Sequence, residues 1–178
     1  GPVHAGIIEP GHFRFQCHPH FQPDFRLVNL KINYRDATAQ LERGCPEACE
    51  FCDITERFGT EVRVTPWEYT EATLRQLHEL DFKGALFIVD DNFIGNPGKA
   101  LENLRRLHEV EQRLGRQRSK YTELTMRLAD NIPTPIPEIR QELRRGLFTS
   151  VFIGVETSNE AALLETDKRQ NTDRKRLI

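Results

Sequence analysis

Hydrophobic positions along the chain follow two different periods, one typical of buried strands and the other typical of helices. Residues 84–90 and 150–156 form short, nearly continuous apolar runs, as the strands of a buried parallel sheet do. Residues 37–42 and 121–128 are two further strand candidates. The pattern therefore predicts four strands.

Outside these strands, apolar residues recur at helical spacing. The predicted helices are 66–80, 99–114, 138–145 and 159–169. Thr65 is the predicted N-cap of the first helix, with Pro66 at its first helical position. Gly146 is positioned to end the third helix, and the proline-rich residues 132–137 are predicted to form a loop.

The alternation of strands and helices predicts an α/β fold that is built from βαβ units around a parallel sheet. In that architecture the functional loops follow the carboxyl ends of the strands. Residues 1–35 have no such period and contain four of the six histidines. We therefore expect an extended, irregular lead-in over residues 1–35 and a folded core over residues 36–178.

Composition narrows the functional classes. The chain has 178 residues, of which 38 % are hydrophobic and 29 % charged, as expected for one domain. Its formal net charge of -2 gives no indication of a nucleic-acid partner. No apolar run approaches the ~18 residues of a membrane span. The basic, polar residues 168–176 predict a solvated tail. Because the single methionine is Met126, we expect the chain to be a piece of a longer protein.

Three of the four cysteines, Cys45, Cys49 and Cys52, have the spacing C-x3-C-x2-C. Such a group is typical of a site for a metal ion or an iron–sulfur cluster and not of a disulfide framework. Structural zinc sites and all-cysteine clusters use four protein ligands, so three from one loop leave a coordination position open for chemistry. Thiolate ligands also require a reducing compartment, which favours the cytoplasm.

A structural zinc site is the second interpretation of the three cysteines. Its fourth ligand would be Cys17, His18 or His20 from the lead-in. We expect Cys17 to be a bystander thiol and the histidines of the lead-in to be ordinary loop residues.

Polar residues also end the predicted strands. Asp90, Asp91 and Asn92 follow the second strand, Glu123 lies in the third, and Glu156 ends the fourth. In a parallel sheet the carboxyl ends of all strands lie on the same side, so these residues are expected to lie close together. Carboxylates that lie close together repel one another unless cations or hydroxyl and amino donors are present. A cationic ligand with a ribose and an amino acid portion satisfies them, which describes S-adenosylmethionine (SAM). The alternatives are a turn or helix N-cap at residues 90–92 and an ion pair between Glu123 and Arg127.

Four stretches, taken in order, resemble the radical SAM superfamily. The run Arg-Gly-Cys-Pro-x-x-Cys-x-Phe-Cys-Asp-Ile (43–54) resembles its cluster loop, in which an aromatic residue, here Phe51, precedes the third cysteine. Residues 87–96, 121–123 and 151–157, followed by Lys168-Arg-Gln-Asn, resemble the cobalamin-dependent branch, which includes the hopanoid methylases. The resemblance extends from about residue 37 to residue 171.

The resemblance implies a partial (β/α) barrel and a role for each matching residue. Cys45, Cys49 and Cys52 would hold three irons of a [4Fe–4S] cluster, and the fourth iron would bind the amino and carboxylate groups of SAM. Reductive cleavage of the sulfonium would give a 5′-deoxyadenosyl radical, for methyl transfer or a related modification of an unactivated carbon. Phe51 would lie near the adenine, Asp90, Asp91 and Asn92 near the methionine amino group, and Glu123 and Glu156 near the ribose or the methionine portion.

Two features of the family have no counterpart here. The cobalamin domain with its Asp-x-His-x-x-Gly loop is not matched, and the sequence reaches about four of the six strand–helix units of the barrel. The resemblance thus implies cobalamin only through a missing domain or a partner subunit, a reductase as electron donor, and a small-molecule or lipid-like substrate. An open half-barrel would also expose an apolar sheet edge. The alternative function is a non-catalytic metal- or iron–sulfur-binding fragment with a structural or electron-transfer role.

Overall fold

The computed structural model describes residues 23–29, 33–129 and 136–172. Its strands are β1 (Asp36–Ala39), β2 (Glu42–Arg43), β3 (Arg63–Val64), β4 (Ala85–Ile88), β5 (Lys120–Leu124) and β6 (Phe148–Ile153). Its α-helices are α1 (Asp53–Phe58), α2 (Trp67–Glu79), α3 (Pro97–Arg113), α4 (Ile136–Arg145) and α5 (Glu160–Glu165). Short 3-10 turns lie at Phe25–Leu27, Met126–Ala129 and Arg169–Asn171.

The larger sheet is parallel, and its strand order β1-β4-β5-β6 follows the chain. Helix α2 precedes β4, α3 connects β4 to β5, and α4 precedes β6. Each strand thus pairs with the next parallel strand along the chain, which is the order of a barrel segment and not that of a doubly wound sheet. The predicted α/β fold with about four βα units is confirmed. Strands β2 and β3 form a separate antiparallel pair beside the cysteines.

The hydrophobic core lies between one face of the sheet and helices α2, α3 and α4. Leu86 and Ile88 of β4 are fully buried, whereas Ala85 and Phe87 are half-buried. The helices contribute buried apolar side chains at helical spacing, among them Leu74, Leu77, Leu104, Leu107, Ile139 and Leu143. The helices therefore cover one face of β4, which was predicted to be buried throughout.

The prediction that the last strand is buried is wrong. Residues 150–156 are exposed, and the Phe152 side chain reaches 57 % exposure. Strand β6 is the edge of the sheet and pairs only with β5 within the described part of the chain. The structure therefore has an exposed apolar strand at this edge.

Several boundaries also differ from the predictions. Pro66, and not Thr65, is the N-cap residue of α2. Helix α3 begins before residue 99, because the Asn96 side chain accepts a hydrogen bond from the Lys99 N–H and caps the helix. Helix α5 ends at Glu165. The predicted strand 37–42 divides into β1 and β2.

The ends of helix α4 show two further differences. Pro137 lies in its first turn and not in a loop, while residues 132–135 of the predicted loop lie outside the described residues. At the other end, the left-handed residue is Leu147, with φ 55°, and not Gly146. A Cβ at Gly146 would lie 3.1 Å from the Glu142 carbonyl oxygen, so glycine is favoured here because the backbone of residue 146 passes close to that of Glu142.

Only the last part of the lead-in can be placed. The Phe25 N–H donates to Gln76 Oε1 over 2.6 Å, and the Phe25 side chain joins the core beside α2. Residues 1–22, with Cys17, His18 and His20, lie outside the described residues. The boundary between residues 35 and 36 stays a prediction. In the described ranges, no helix has the length and apolar character needed to cross a membrane.

Candidate cofactor site at the carboxyl edge of the sheet

The cysteine loop, residues 44–52, connects β2 to α1. It begins at Gly44 with φ 100°, where a Cβ would lie only 2.4 Å from the Glu61 carbonyl oxygen. It ends at Cys52, the N-cap residue of α1, whose N–H donates to the Cys49 carbonyl over 3.0 Å. Cys45, Cys49 and Cys52 are free thiols, of which Cys49 is buried and the other two are half-buried.

Asp90 and Asp91 support the chain that enters this loop. Asp90 Oδ1 accepts the backbone N–H groups of residues 41–42 over 2.7 and 3.0 Å. Asp91 accepts hydrogen bonds from the Gly44 N–H over 2.7 Å and from Arg43 Nη1 over 2.9 Å. Both carboxylates therefore face the loop entrance.

Asn92 contacts a cysteine directly. Its Nδ2 lies 3.7 Å from Cys45 Sγ, and its Oδ1 accepts the Ile94 N–H over 3.3 Å. Burial raises the pKa of the Cys45 thiol, and hydrogen bonds from the Glu47 backbone and the Asn92 amide act in the opposite direction. Of the three polar residues after β4, Asn92 is the one that reaches a cysteine.

Glu42 and Asp90 form a pair of buried carboxyl groups below the loop, each 1 % exposed. Glu42 Oε1 accepts the Asn103 amide over 3.3 Å, but Glu42 Oε2 and Asp90 Oδ2 have no hydrogen-bond partner in the described structure. Burial, with repulsion from Asp90, raises the pKa of Glu42 to about 8. Burial also raises the pKa of Asp90 to about 7. Both groups therefore titrate near neutral pH.

The chain returns to the cysteine loop near its carboxyl terminus, through residues 168–171, which we call the clasp. Gln170 Nε2 donates to Cys49 Sγ over 3.3 Å. Asn171 Nδ2 donates to the backbone carbonyls of residues 154–155, over 2.7 and 3.0 Å. The clasp thus ties the end of β6 to the cysteine loop.

Lys168 of the clasp brings two of the predicted site residues together. Its Nζ lies 2.5 Å from Glu156 Oε1 and 5.1 Å from the centre of the Phe51 ring. Glu156 itself has φ 64°, a left-handed conformation that is uncommon for residues other than glycine. Lys168, Gln170 and Asn171 are buried, so the predicted solvated tail is wrong for these three residues, whereas Arg169 between them is exposed. Residues 173–176 lie outside the described ones.

Glu123 lies on the face of β5 that the helices do not cover. It is exposed, whereas its neighbours Thr122 and Leu124 are buried. The alternative of an ion pair with Arg127 is not realised, because Arg127 Nε binds Glu47 Oε1 of the cysteine loop over 2.7 Å. The segment after β5 therefore adds a further contact to this loop.

Sequence reasoning missed several of these contacts. The sequence did not indicate Glu42, because a single glutamate at the end of a predicted strand carries no signal that it is buried. The clasp residues Gln170 and Asn171 belong to a motif that supports the resemblance, but no sequence signal shows that Gln170 contacts a residue 121 positions earlier. Among the described residues, no three histidine, cysteine, aspartate or glutamate side chains are arranged to hold a single metal ion.

Comparisons with known proteins agree with this architecture. Residues 41–177 match the family model of the Radical SAM superfamily. The chain is 36 % identical over 149 residues to the hopanoid C-2 methylase of Rhodopseudomonas palustris (strain TIE-1). It is 34 % identical over 150 residues to an uncharacterized methyltransferase of Synechocystis sp.. Each alignment covers 84 % of this chain but 27 % of the relative.

Two solved structures share the fold. The cobalamin-dependent SAM radical enzyme OxsB, with aqua-cobalamin bound, matches 77 % of this chain and 20 % of its own, at a TM-score of 0.63 and 17 % identity. The radical SAM methyltransferase TsrM from Kitasatospora setae, with cobalamin and a [4Fe–4S] cluster bound, matches 71 % of this chain and 22 % of its own, at a TM-score of 0.60 and 14 % identity. Because the family match covers most of the sequence, the chain belongs to the radical SAM superfamily. The predicted resemblance to its cobalamin-dependent branch is confirmed.

Proposed function

We propose that this member of the radical SAM superfamily holds a [4Fe–4S] cluster with Cys45, Cys49 and Cys52, binds SAM beside it, and serves methyl transfer or a related modification of an unactivated carbon. One observation carries the proposal. The loop with the three cysteines follows the first parallel strand, and side chains from beyond the other three strands reach it.

The donor set fits the cluster. Three thiols are free, and two of their sulfurs face buried side-chain amides. A structural zinc ion takes four protein ligands, whereas this loop supplies three thiols. A [4Fe–4S] cluster binds each cysteine to a different iron, so the loop can hold three of its four irons.

Four side chains are suited to SAM. Phe51 is 54 % exposed and offers an aromatic face to adenine. Glu123 on the open face and Glu156 beside the clasp offer carboxylate oxygens for ribose hydroxyls or an ammonium group. Asn92 would lie next to the cluster and the methionine amino group. Asp90 and Asp91 serve this site indirectly, through the loop entrance.

When bound, the cluster and SAM supply the reductive cleavage of a carbon–sulfur bond and the radical that it releases. The protein would hold the cysteine sulfurs in place and orient the sulfonium ligand with the polar groups at the carboxyl ends of the strands. It also keeps Cys49 away from water. One relative is named a hopanoid C-2 methylase, and both solved neighbours are cobalamin enzymes. These names support methyl transfer to a lipid-like or other small substrate, with cobalamin on another domain or subunit and a reductase as donor.

The proposal also includes the division of the chain into a lead-in over residues 1–35 and a radical SAM core over residues 36–178. A site of thiolate ligands belongs in a reducing compartment, for which we propose the cytoplasm.

The test is anaerobic reconstitution of the chain with iron and sulfide, followed by reduction and incubation with SAM. We expect about four irons and four sulfides per chain, and 5′-deoxyadenosine as a product. Cys49→Ala should abolish retention of the cluster, whereas Cys17→Ala should leave it intact. One zinc per chain would support the non-catalytic alternative, and a four-iron protein without deoxyadenosine would support an electron-transfer role.

A further inference from the structure

We infer that the side-chain amides of Asn92 and Gln170 are hydrogen-bond donors to the cysteine sulfurs of the cluster and set its reduction potential. This inference rests on the proposed function, since it concerns the same three cysteines. It assigns Gln170 as a positioning and tuning group, and it gives Asn92 a tuning role in addition to its place beside the proposed SAM site.

The first observation is where the two amides come from. Asn92 follows β4 and reaches Cys45 Sγ over 3.7 Å, 47 positions away in the sequence. Gln170 lies in the turn after α5 and reaches Cys49 Sγ over 3.3 Å. Two separate segments therefore each direct one amide at one sulfur of the loop.

The second observation is burial. Asn92 is 3 % exposed and Gln170 is 8 % exposed. A buried amide N–H needs an acceptor, and a thiolate that binds iron is a better acceptor than a neutral thiol because it is charged. These two contacts should therefore strengthen when the cluster is present.

The orientation of the Asn92 amide is fixed by its surroundings. Its Oδ1 accepts the Ile94 N–H over 3.3 Å, so its NH₂ end must face Cys45. Cys52 differs from the other two cysteines, because no described residue donates a hydrogen bond to its sulfur. Among the described residues, side-chain amides therefore donate hydrogen bonds to two of the three cysteine sulfurs.

The consequence follows from charge. Reduction adds one electron to the cluster, and N–H donors at the sulfurs favour the more negative reduced form. Removing a donor should make the cluster harder to reduce. Gln170 should matter more than Asn92, because its nitrogen is closer to the sulfur.

The experiment uses the full chain, reconstituted anaerobically, and measures the reduced fraction of the cluster by electron paramagnetic resonance at a set of fixed solution potentials. Gln170→Leu should lower the ratio of reduced to oxidised cluster by about tenfold at a given potential, which is 59 mV for one electron. Asn92→Leu should lower it by about threefold, in the same direction. Gln170→Glu keeps the length of the side chain without its amide donor, and it should lower the ratio at least as far as Gln170→Leu.

The matched control is Asn171→Leu, which removes a buried amide from the same turn that binds carbonyls and not sulfur. It should leave the ratio within about twofold of the unmodified chain. If Asn171→Leu shifts the potential as much as Gln170→Leu, or if Gln170→Glu behaves like the unmodified chain, the amides act only through packing and the inference is wrong. If the unmodified chain takes up no four-iron cluster, the proposed function fails first, and that outcome is seen in the iron content before any potential is measured.

Discussion

The two ends of the parallel sheet bury charged groups in opposite ways. At the amino end, Lys120 Nζ has three partners, namely Glu111 Oε2 over 2.6 Å and the carbonyls of Arg118 and Gly146 over 2.8 Å each. Lys120 and Glu111 are both 1 % exposed or less. Arg118 beside them is an exception, because its buried guanidinium has no hydrogen-bond partner in the described structure.

At the carboxyl end, Glu42 and Asp90 are equally buried, but they are two acids whose ionised forms would carry charge of the same sign. No described cation forms an ion pair with either carboxyl group, and one oxygen of each has no partner in the described residues. Buried polar groups in folded proteins usually have hydrogen-bond partners. Residues with strongly shifted pKa values and missing partners are found more often at functional sites. The difference teaches that the amino end pairs its buried lysine with a carboxylate, whereas the carboxyl end keeps buried carboxyl oxygens without partners next to the candidate cofactor site.

The strongest test of this comparison is to break the pair at the amino end. Lys120→Met should lower the free energy of unfolding by about 3–5 kcal/mol, because it leaves Glu111 buried without its cation. Urea unfolding at pH 7 measures the loss. Lys83→Met is the control, since the exposed Lys83–Asp81 pair should contribute less than about 0.5 kcal/mol. A loss no larger than that of the control would remove the contrast between the two ends.

The second test concerns the acid pair. The folded pKa of Glu42 is about 8, above its usual value of 4.5, so the folded chain binds more protons than the unfolded chain between these values. Stability should therefore fall as pH rises through this range. Glu42→Gln should flatten that slope and stabilise the chain by about 1–3 kcal/mol at pH 8.5.

Unfolding curves at pH 5 and pH 8.5 measure this difference. Glu102→Gln, at an exposed position, serves as the control and should leave the slope unchanged. An unchanged slope in Glu42→Gln would mean that the carboxyl end is not destabilised by buried charge.

The third test, with the smallest expected effect, compares two ion pairs of similar length that differ in burial. The Lys168–Glu156 pair spans 2.5 Å, much like the 2.6 Å of Lys120–Glu111, but the Glu156 side chain is 43 % exposed. Lys168→Met should therefore cost about 1 kcal/mol or less, because water can solvate the Glu156 carboxylate that remains. The same urea experiment measures it. A loss as large as that of Lys120→Met would show that exposure of Glu156 does not weaken its ion pair, which contradicts this explanation.

Much of the fold was predictable because its signals are local. The apolar run before Asp90 and the leucines of residues 99–114 report strand and helix periods directly, and both elements are present. The sequence order of strands and helices also predicted the parallel sheet. The exposure of β6 was not predictable, since an apolar run has the same letters in the centre of a sheet and at its edge.

The candidate site divides in the same way. The spacing of Cys45, Cys49 and Cys52 identifies the candidate cluster loop without any structure, because three thiols on one short loop are neighbours along the chain. Asp90 shows the limit of this reasoning. Its position after a strand suggested a ligand contact, but its carboxylate faces the backbone of residues 41–42.

By itself, then, the sequence determined the superfamily, the α/β order of elements and the three thiols, all of which depend on neighbours along the chain. The tertiary structure decided which groups meet over long separations: Gln170 with Cys49, Asn92 with Cys45, and Glu42 with Asp90. The physical reason is that hydrogen bonding and desolvation depend on distances in space, which the packing of helices on one face of the sheet sets and which no local pattern encodes.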